Sequence, residues 1–140
     1  MQLSIRNRLA GEVVAVETGE VMSTVRVRLS GDLEVTAAIT LEAVRELGLA
    51  PGRAVVALVK STEVAIGVGE VPRMSIRNRF PGRVTDVEHG AVMTTVRVAI
   101  GSGDTLTAAI TKDAAEDLGL AAGDDVTALV KSTEVSIAVP

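Results

Sequence analysis

The chain of 140 residues contains no cysteine and only one histidine. Disulfide frameworks, thiolate metal sites and histidine-based metal clusters are therefore excluded within one chain. Aromatic residues make up 1% of the sequence, Phe80 being the only one, although hydrophobic residues make up 47%. The core must be built from Val, Ile, Leu and Ala. Because no apolar run approaches the roughly 20 residues that span a bilayer, and no secretion signal is evident, we expect a soluble cytoplasmic protein.

Charge of either sign is not concentrated anywhere in the chain. The 14 basic and 18 acidic residues are interspersed and give a net charge of −4. This balance disfavours general attraction to nucleic acid or to an anionic membrane. A binder of single-stranded nucleic acid would also need aromatic stacking platforms, which this chain lacks. Any anion-binding site must therefore be local.

The sequence consists of two copies of one unit. Residues 4–69 align without a gap onto residues 75–140, and 38 of the 66 aligned positions are identical. We predict a first domain at 1–69, a short linker at 70–74 and a second domain at 75–140. Since Pro72 stiffens the linker, the two units are expected to sit against each other. Units of about 70 residues have small cores, so we also expect oligomerisation.

The hydrophobic pattern predicts the same elements in both units. Residues 41–47 have helical spacing, with Thr40 as the N-cap and Gly48 as the stop. Five segments of the first unit are predicted to be strands: 11–17, 21–29, 33–39, 54–59 and 63–68. Three strands, a short helix and two strands form the element order of an OB-like five-stranded barrel. The predicted fold class is thus all-β, with two tandem barrels and one short helix between strands 3 and 4 of each.

Two polar clusters recur intact while charges elsewhere differ between the units. Ser4-Ile5-Arg6-Asn7-Arg8 recurs at 75–79, Lys60-Ser61-Thr62-Glu63 recurs at 131–134, and Thr40 recurs as Thr111. A tetrahedral oxyanion needs hydrogen-bond donors around it, and Arg, Lys, Ser, Thr and irregular backbone N–H groups supply them. The simpler interpretation, a solvated basic strand end with hydroxyl-capped turns, is equally compatible with these residues.

The segments SIRNRLAGEV, VMSTVRVRL, LTAAIT and ALVKSTEV resemble the Mop, or molbindin, domain of the transport-associated OB-like group. The tandem arrangement is similar to that of the cytoplasmic di-domain molbindins. This resemblance implies reversible binding of molybdate or tungstate for intracellular storage or homeostasis, with no organic cofactor. It also implies a homo-oligomer, a trimer whose six barrels form a pseudo-hexamer, with each ligand held between neighbouring domains.

The resemblance also implies which residues contact the oxyanion. The S-x-R-N motif, the Thr before the helix and the K-S pair each occur twice. The implied contacts are Ser4, Arg6, Asn7, Thr40, Lys60, Ser61, Ser75, Arg77, Asn78, Thr111, Lys131 and Ser132. Met22 and Met93, opposite the Val stripe of their strands, are expected to fill an interface.

No catalytic constellation or nucleotide-binding motif is present, so the sequence favours binding over catalysis. One alternative is an oxyanion-sensing module that docks on a protein partner. A weaker alternative is an OB-type nucleic-acid binder, and neither nucleic acid nor a membrane is expected as a partner.

Overall fold

The computed structural model describes residues 1–140, which form ten strands and two short helices. The first unit contains β1 (Asn7–Thr18), β2 (Met22–Arg28), β3 (Glu34–Thr40), α1 (Leu41–Leu47), β4 (Ala54–Val59) and β5 (Ala65–Gly67). The second contains β6 (Asn78–His89), β7 (Met93–Ile100), β8 (Thr105–Thr111), α2 (Lys112–Leu118), β9 (Asp125–Val130) and β10 (Ser136–Ala138). The predicted order of three strands, a helix and two strands is confirmed in both units.

The fifth strand is shorter than the pattern predicts. Residues 63–68 were expected to be extended, but a 3-10 turn occupies Ser61–Glu63 and only Ala65–Gly67 pairs as a strand. The Glu63 N–H donates to the Lys60 carbonyl at 2.9 Å, which closes the turn directly after β4. The second unit has the same turn at Ser132–Glu134. The turn redirects the chain before the last strand begins.

That change of direction takes each fifth strand into the other unit. The strand orders are β10-β4-β1-β2-β3 and β5-β9-β6-β7-β8, so each sheet contains four strands of one unit and the last strand of the other. Ala65 pairs with Leu129, and Ser136 pairs with Leu58. A single cluster of 25 buried residues draws on both units. The two units therefore lie against each other, as the short linker predicts, and they are also interlocked.

The alternation predicted for β2 is confirmed by burial. Ser23, Val25 and Val27 are buried, whereas Thr24 and Arg26 on the opposite face are exposed. Inward-facing aliphatic side chains of this kind supply the core, because burying each one contributes roughly 1.5–3 kcal/mol.

Both helices begin and end where the sequence predicts. The Thr40 side chain accepts a hydrogen bond from the Ala43 N–H at 3.1 Å, and Gly48 ends α1 with a left-handed φ of 62°. The second unit repeats this geometry with Thr111 and Gly119. Neither helix is long and apolar enough to cross a membrane.

Candidate functional site

The strand register brings the two polar clusters of each unit side by side. Asn7 is opposite Val59 in the antiparallel pair of β1 and β4. Arg6 precedes Asn7 and Lys60 follows Val59. Because the two strands are antiparallel, both cations lie at the same end of the barrel. In the second unit Asn78 is opposite Val130, which places Arg77 beside Lys131 in the same way. Cations that are far apart in the sequence thus lie at the ends of neighbouring strands.

These four cations have no carboxylate partner within 4 Å, a property that they share with six other basic side chains of the chain. The four are Arg6, Lys60, Arg77 and Lys131, all of them exposed. By contrast, Arg97 Nη1 lies 2.6 Å from Asp86 Oδ2, and Arg83 lies 3.4 Å from Asp125. The Arg6 guanidinium donates to the carbonyls of Ser4 at 3.2 Å and Leu3 at 2.9 Å, which orders it against its own segment. Their charges remain available to an anion.

A buried hydroxyl without a partner follows each Lys. The Oγ atoms of Ser61 and Ser132 are buried and make no hydrogen bond. An unsatisfied buried hydroxyl lowers stability by about 1–3 kcal/mol, so its retention in both units indicates a ligand or water. Ser23 Oγ and Thr94 Oγ1, at equivalent positions of β2 and β7, are also buried and make no hydrogen bond. Sequence reasoning missed these two, although a hydroxyl at both positions was a visible signal.

Asn7 and Asn78 make side-chain hydrogen bonds between the two units. Asn7 Nδ2 donates to the Thr107 carbonyl at 2.8 Å, and its Oδ1 accepts the Thr107 N–H at 2.7 Å. Asn78 makes the same pair of bonds, both 2.8 Å long, with Thr36 of the first unit. Both side chains are buried and face the opposite unit. One N–H and the oxygen of each amide therefore connect the site segment of one unit to the other unit.

Arg8 and Arg79 belong to the recurring cluster but are not among the predicted contacts. Arg8 donates to the carbonyls of Ile5 at 3.2 Å, Leu3 at 2.8 Å and Met1 at 3.1 Å. Arg79 donates to the carbonyls of Ile76 at 3.0 Å and Met74 at 2.7 Å. Each guanidinium therefore folds the segment before it. Ser4 and Ser75, on these folded segments, are exposed.

The two helix-capping threonines lie in different surroundings. Thr111 and Lys131 line one cavity of about 440 Å³ together with Thr62 and Glu63 of the first unit. Because Thr111 accepts its capping bond through a lone pair, its O–H can still donate to a ligand. Thr40 instead lines a cavity of about 470 Å³ whose other charged residues are Glu20, Glu42, Arg45 and Glu46. Carboxylates outnumber cations in both cavities, by two to one around Thr111, where Glu134 joins Glu63, and by three to one around Thr40.

Two other features of the structure bear on function. The largest cavity, about 660 Å³, contains none of the predicted contacts, and its one cation, Arg83, is paired with Asp125. No group of three or more His, Cys, Asp or Glu side chains comes together to hold a metal ion.

Fold and site together define a class of protein: a tandem OB-like barrel protein that presents local donor clusters suited to a small anion. The TOBE domain family matches residues 3–66 and 74–137, and the chain belongs to that family.

Curated relatives align with both units of the chain. The molybdenum-pterin-binding protein MopB of Rhodobacter capsulatus is 42% identical over all of this chain and 52% of its own length. The DNA-binding transcriptional dual regulator ModE of Escherichia coli is 32% identical over 99% of this chain and 52% of its own length. The chain thus spans about half the length of the curated relatives it matches.

A solved structure matches the whole chain. The cytoplasmic molybdate-binding protein ModG, crystallised with molybdate bound, is 38% identical, and each chain is covered completely with a TM-score of 0.97. The tandem OB-like fold, including the arrangement of the two units, is therefore shared with a protein of the same extent.

Proposed function

We propose that this protein binds molybdate or tungstate reversibly and serves in its storage or homeostasis in the cytoplasm. The proposal rests on one observation. Each unit has two cations without a carboxylate partner, next to a buried Ser hydroxyl that makes no hydrogen bond. The full-length match to molybdate-bound ModG supports the choice of oxyanion. The matched relatives are named as binding or regulatory proteins, which supports binding without catalysis.

The chemistry of the donors suits a tetrahedral dianion. Arg6 and Arg77 offer planar forks of N–H groups, while Lys60 and Lys131 offer compact charges. Ser61 and Ser132 add O–H donors that have no other partner. A dianion is held by such groups through charge-assisted hydrogen bonds, without a covalent step. Bound anion is then released when its free concentration falls.

We further propose that the chain forms a homo-oligomer, with a trimer as the expected state. Val21 and Val92 are 71% and 74% exposed at equivalent turns, and Met22 and Met93 beside them are 47% and 42% exposed. Matched apolar residues at the surface of both units are typical of an interface. The exposure of the cations leaves room for a neighbouring chain to complete each anion site. Light scattering should give three times the chain mass, and a monomer mass would contradict this part of the proposal.

A sensing module that docks on a protein partner is the second candidate. It is favoured by the match of this chain to about half of ModE, a transcriptional regulator. In that role the same anion site would control docking instead of storage. Both candidates require oxyanion binding, so binding is tested first.

The test is calorimetric titration of the wild-type protein and two double variants with molybdate, with sulfate as the comparison anion. R6A/R77A removes two cations without carboxylate partners. R26A/R97A removes the same charge from a recurring position where the cations face Glu34 at 3.8 Å and Asp86 at 2.6 Å.

Loss of a charge-assisted hydrogen bond costs about 1.5–3 kcal/mol, so R6A/R77A should weaken molybdate binding at least about tenfold. R26A/R97A should change the Kd by less than about twofold, because exposed pairs contribute little. Equal affinity for all three proteins would show that the anion binds elsewhere. Absence of molybdate binding by the folded wild type would refute the proposed function itself.

A further inference from the structure

Asn7 and Asn78 connect the site segment of each unit to the other unit. Each carboxamide makes two reciprocal hydrogen bonds with one backbone residue, Thr107 or Thr36, at 2.7–2.8 Å. The two side chains are 2% and 3% exposed. Nothing else in the chain makes a matched pair of bonds of this kind between the units.

The chemistry of this contact is specific to asparagine. A carboxamide has two N–H donors and one C=O acceptor, and one N–H together with the oxygen can match the C=O and N–H of a backbone residue. Thr107 lies on β8 and Thr36 lies on β3, and these strands are the last in their respective sheet orders. Each Asn therefore satisfies backbone groups of an edge strand, which otherwise would be unpaired. A carboxylate lacks the donor, and an aliphatic side chain lacks both groups.

The segment attached to each Asn is itself held by side-chain hydrogen bonds. Arg8 and Arg79 hold the carbonyls that precede the Asn, so the short segment is folded at one end and fastened at the other. Arg6 and Arg77 lie between these two attachments. Their position relative to the barrel thus depends on the strand to which the Asn is bonded.

The same strand also supports the other half of the site. The 3-10 turn at Ser61–Glu63 packs against β8, and the turn at Ser132–Glu134 packs against β3. In the first unit, Asn7 and the turn that begins at Ser61 are therefore both placed by one strand of the second unit. The second unit has the same arrangement on β3.

We propose that Asn7 and Asn78 are positioning residues, which set the geometry of each oxyanion site by fastening it to the opposite barrel. This inference rests on the proposed function, since the affected property is oxyanion affinity. It assigns no contact between Asn and the ligand. One unit therefore controls how well the other unit binds.

The test compares two double variants with the wild type by calorimetry with molybdate at about pH 8 and about pH 6, where free carboxyl groups are ionised. N7L/N78L keeps the approximate shape and removes both hydrogen bonds. N7D/N78D removes the donor only while the introduced carboxyl is ionised, and burial raises the pKa of that carboxyl. When protonated, the carboxyl again donates one bond and accepts the other.

N7L/N78L should bind molybdate about tenfold more weakly than the wild type at both pH values, the loss that corresponds to about 1.4 kcal/mol. N7D/N78D should be weak at the higher pH and recover at the lower one, while the wild type changes little. V27A/V98A, which removes buried methyl groups from both cores, is the stability control. It should lower the Tm and leave the Kd unchanged. Wild-type affinity in N7L/N78L, or an equal loss in V27A/V98A, would overturn the positioning role.

Hydrogen exchange measures the same contact without ligand. In N7L/N78L, and in N7D/N78D at the higher pH, amides of residues 1–8 and 72–79 should exchange faster than in the wild type, and in V27A/V98A they should not. If the wild type fails to bind molybdate, the proposed function is wrong, and exchange alone then decides whether the Asn residues hold these segments. Unchanged exchange in both Asn variants would overturn the inference.

Discussion

The two units share their polar clusters but differ in the surface that surrounds them. In the second unit Arg97 lies 2.6 Å from Asp86 and 3.7 Å from Glu88. In the first unit Ala15 replaces that Asp, and Arg26 has only Glu34 at 3.8 Å. Exposed ion pairs of this kind contribute about 0–1 kcal/mol, so either arrangement is compatible with the fold. The comparison shows that surface ion pairs changed between the units, whereas the polar clusters at 4–8 and 60–63 recur unchanged at 75–79 and 131–134.

The units also differ at the turn that joins their second and third strands. The first unit has a 3-10 turn at Ser30–Asp32, in which Gly31 and Asp32 adopt left-handed φ values of 70° and 61°. The second unit has Gly103 at φ 88° and a hydrogen bond of 2.6 Å from Ser102 Oγ to Asp104. The two turns are in contact, so a Cβ added to Gly31 would overlap the Gly101 carbonyl oxygen.

The largest expected effect on stability comes from separating these turns. G31A places a methyl group against the Gly101 carbonyl, whereas G48A has a similar φ of 62° and no atom within 4 Å of the added Cβ. Both changes incur the left-handed penalty of about 1–2 kcal/mol, and G31A adds an overpacking cost of about 1–3 kcal/mol. Urea unfolding should therefore show a larger loss for G31A. Equal losses would indicate that the turns do not press on each other.

Intermediate effects are expected from single changes at the equivalent core residues Leu9 and Phe80, both 1% exposed. F80L should destabilise by about 1–2 kcal/mol, because the smaller side chain leaves part of its space empty. L9F should cost about 1–3 kcal/mol through overpacking. If the cores of the two barrels were interchangeable, F80L/L9F would be as stable as the wild type in guanidinium unfolding. We expect it to be less stable than the wild type.

The smallest effect is expected from the surface pair that distinguishes the units. D86A gives the second unit the residue that the first has at that position, and it should lower the unfolding free energy by about 0.2–1 kcal/mol at low salt. The loss should shrink as salt screens the pair. A15D should give the first unit a gain of similar size. Thermal unfolding at two salt concentrations measures both, and a loss that persists at high salt would mean that Asp86 has a packing role.

Part of the candidate site could be predicted from the residues alone, since Arg, Lys and Ser that recur together suggest an anion-binding site. The register of β1 on β4 then places the two clusters at neighbouring strand ends. The engagement of Asn7 could not be predicted in this way. Its amide can donate to an anion and to a peptide group, and only the tertiary structure places its Nδ2 2.8 Å from the Thr107 carbonyl. The burial of Ser61 Oγ likewise depends on a strand of the other unit.

The sequence by itself determined the repeat, the order of strands and helices, the caps at Thr40 and Gly48, and the inward face of β2, because each follows from local periodicity and backbone preference. Only the tertiary structure decided which sheet receives each fifth strand. β5 and β10 pair with segments that both contain Ala-Leu. β5 pairs with Ala128-Leu129, and β10 pairs with Ala57-Leu58. Pairing residues that are identical cannot specify a partner, so the 3-10 turn and the packing of the two units make that choice.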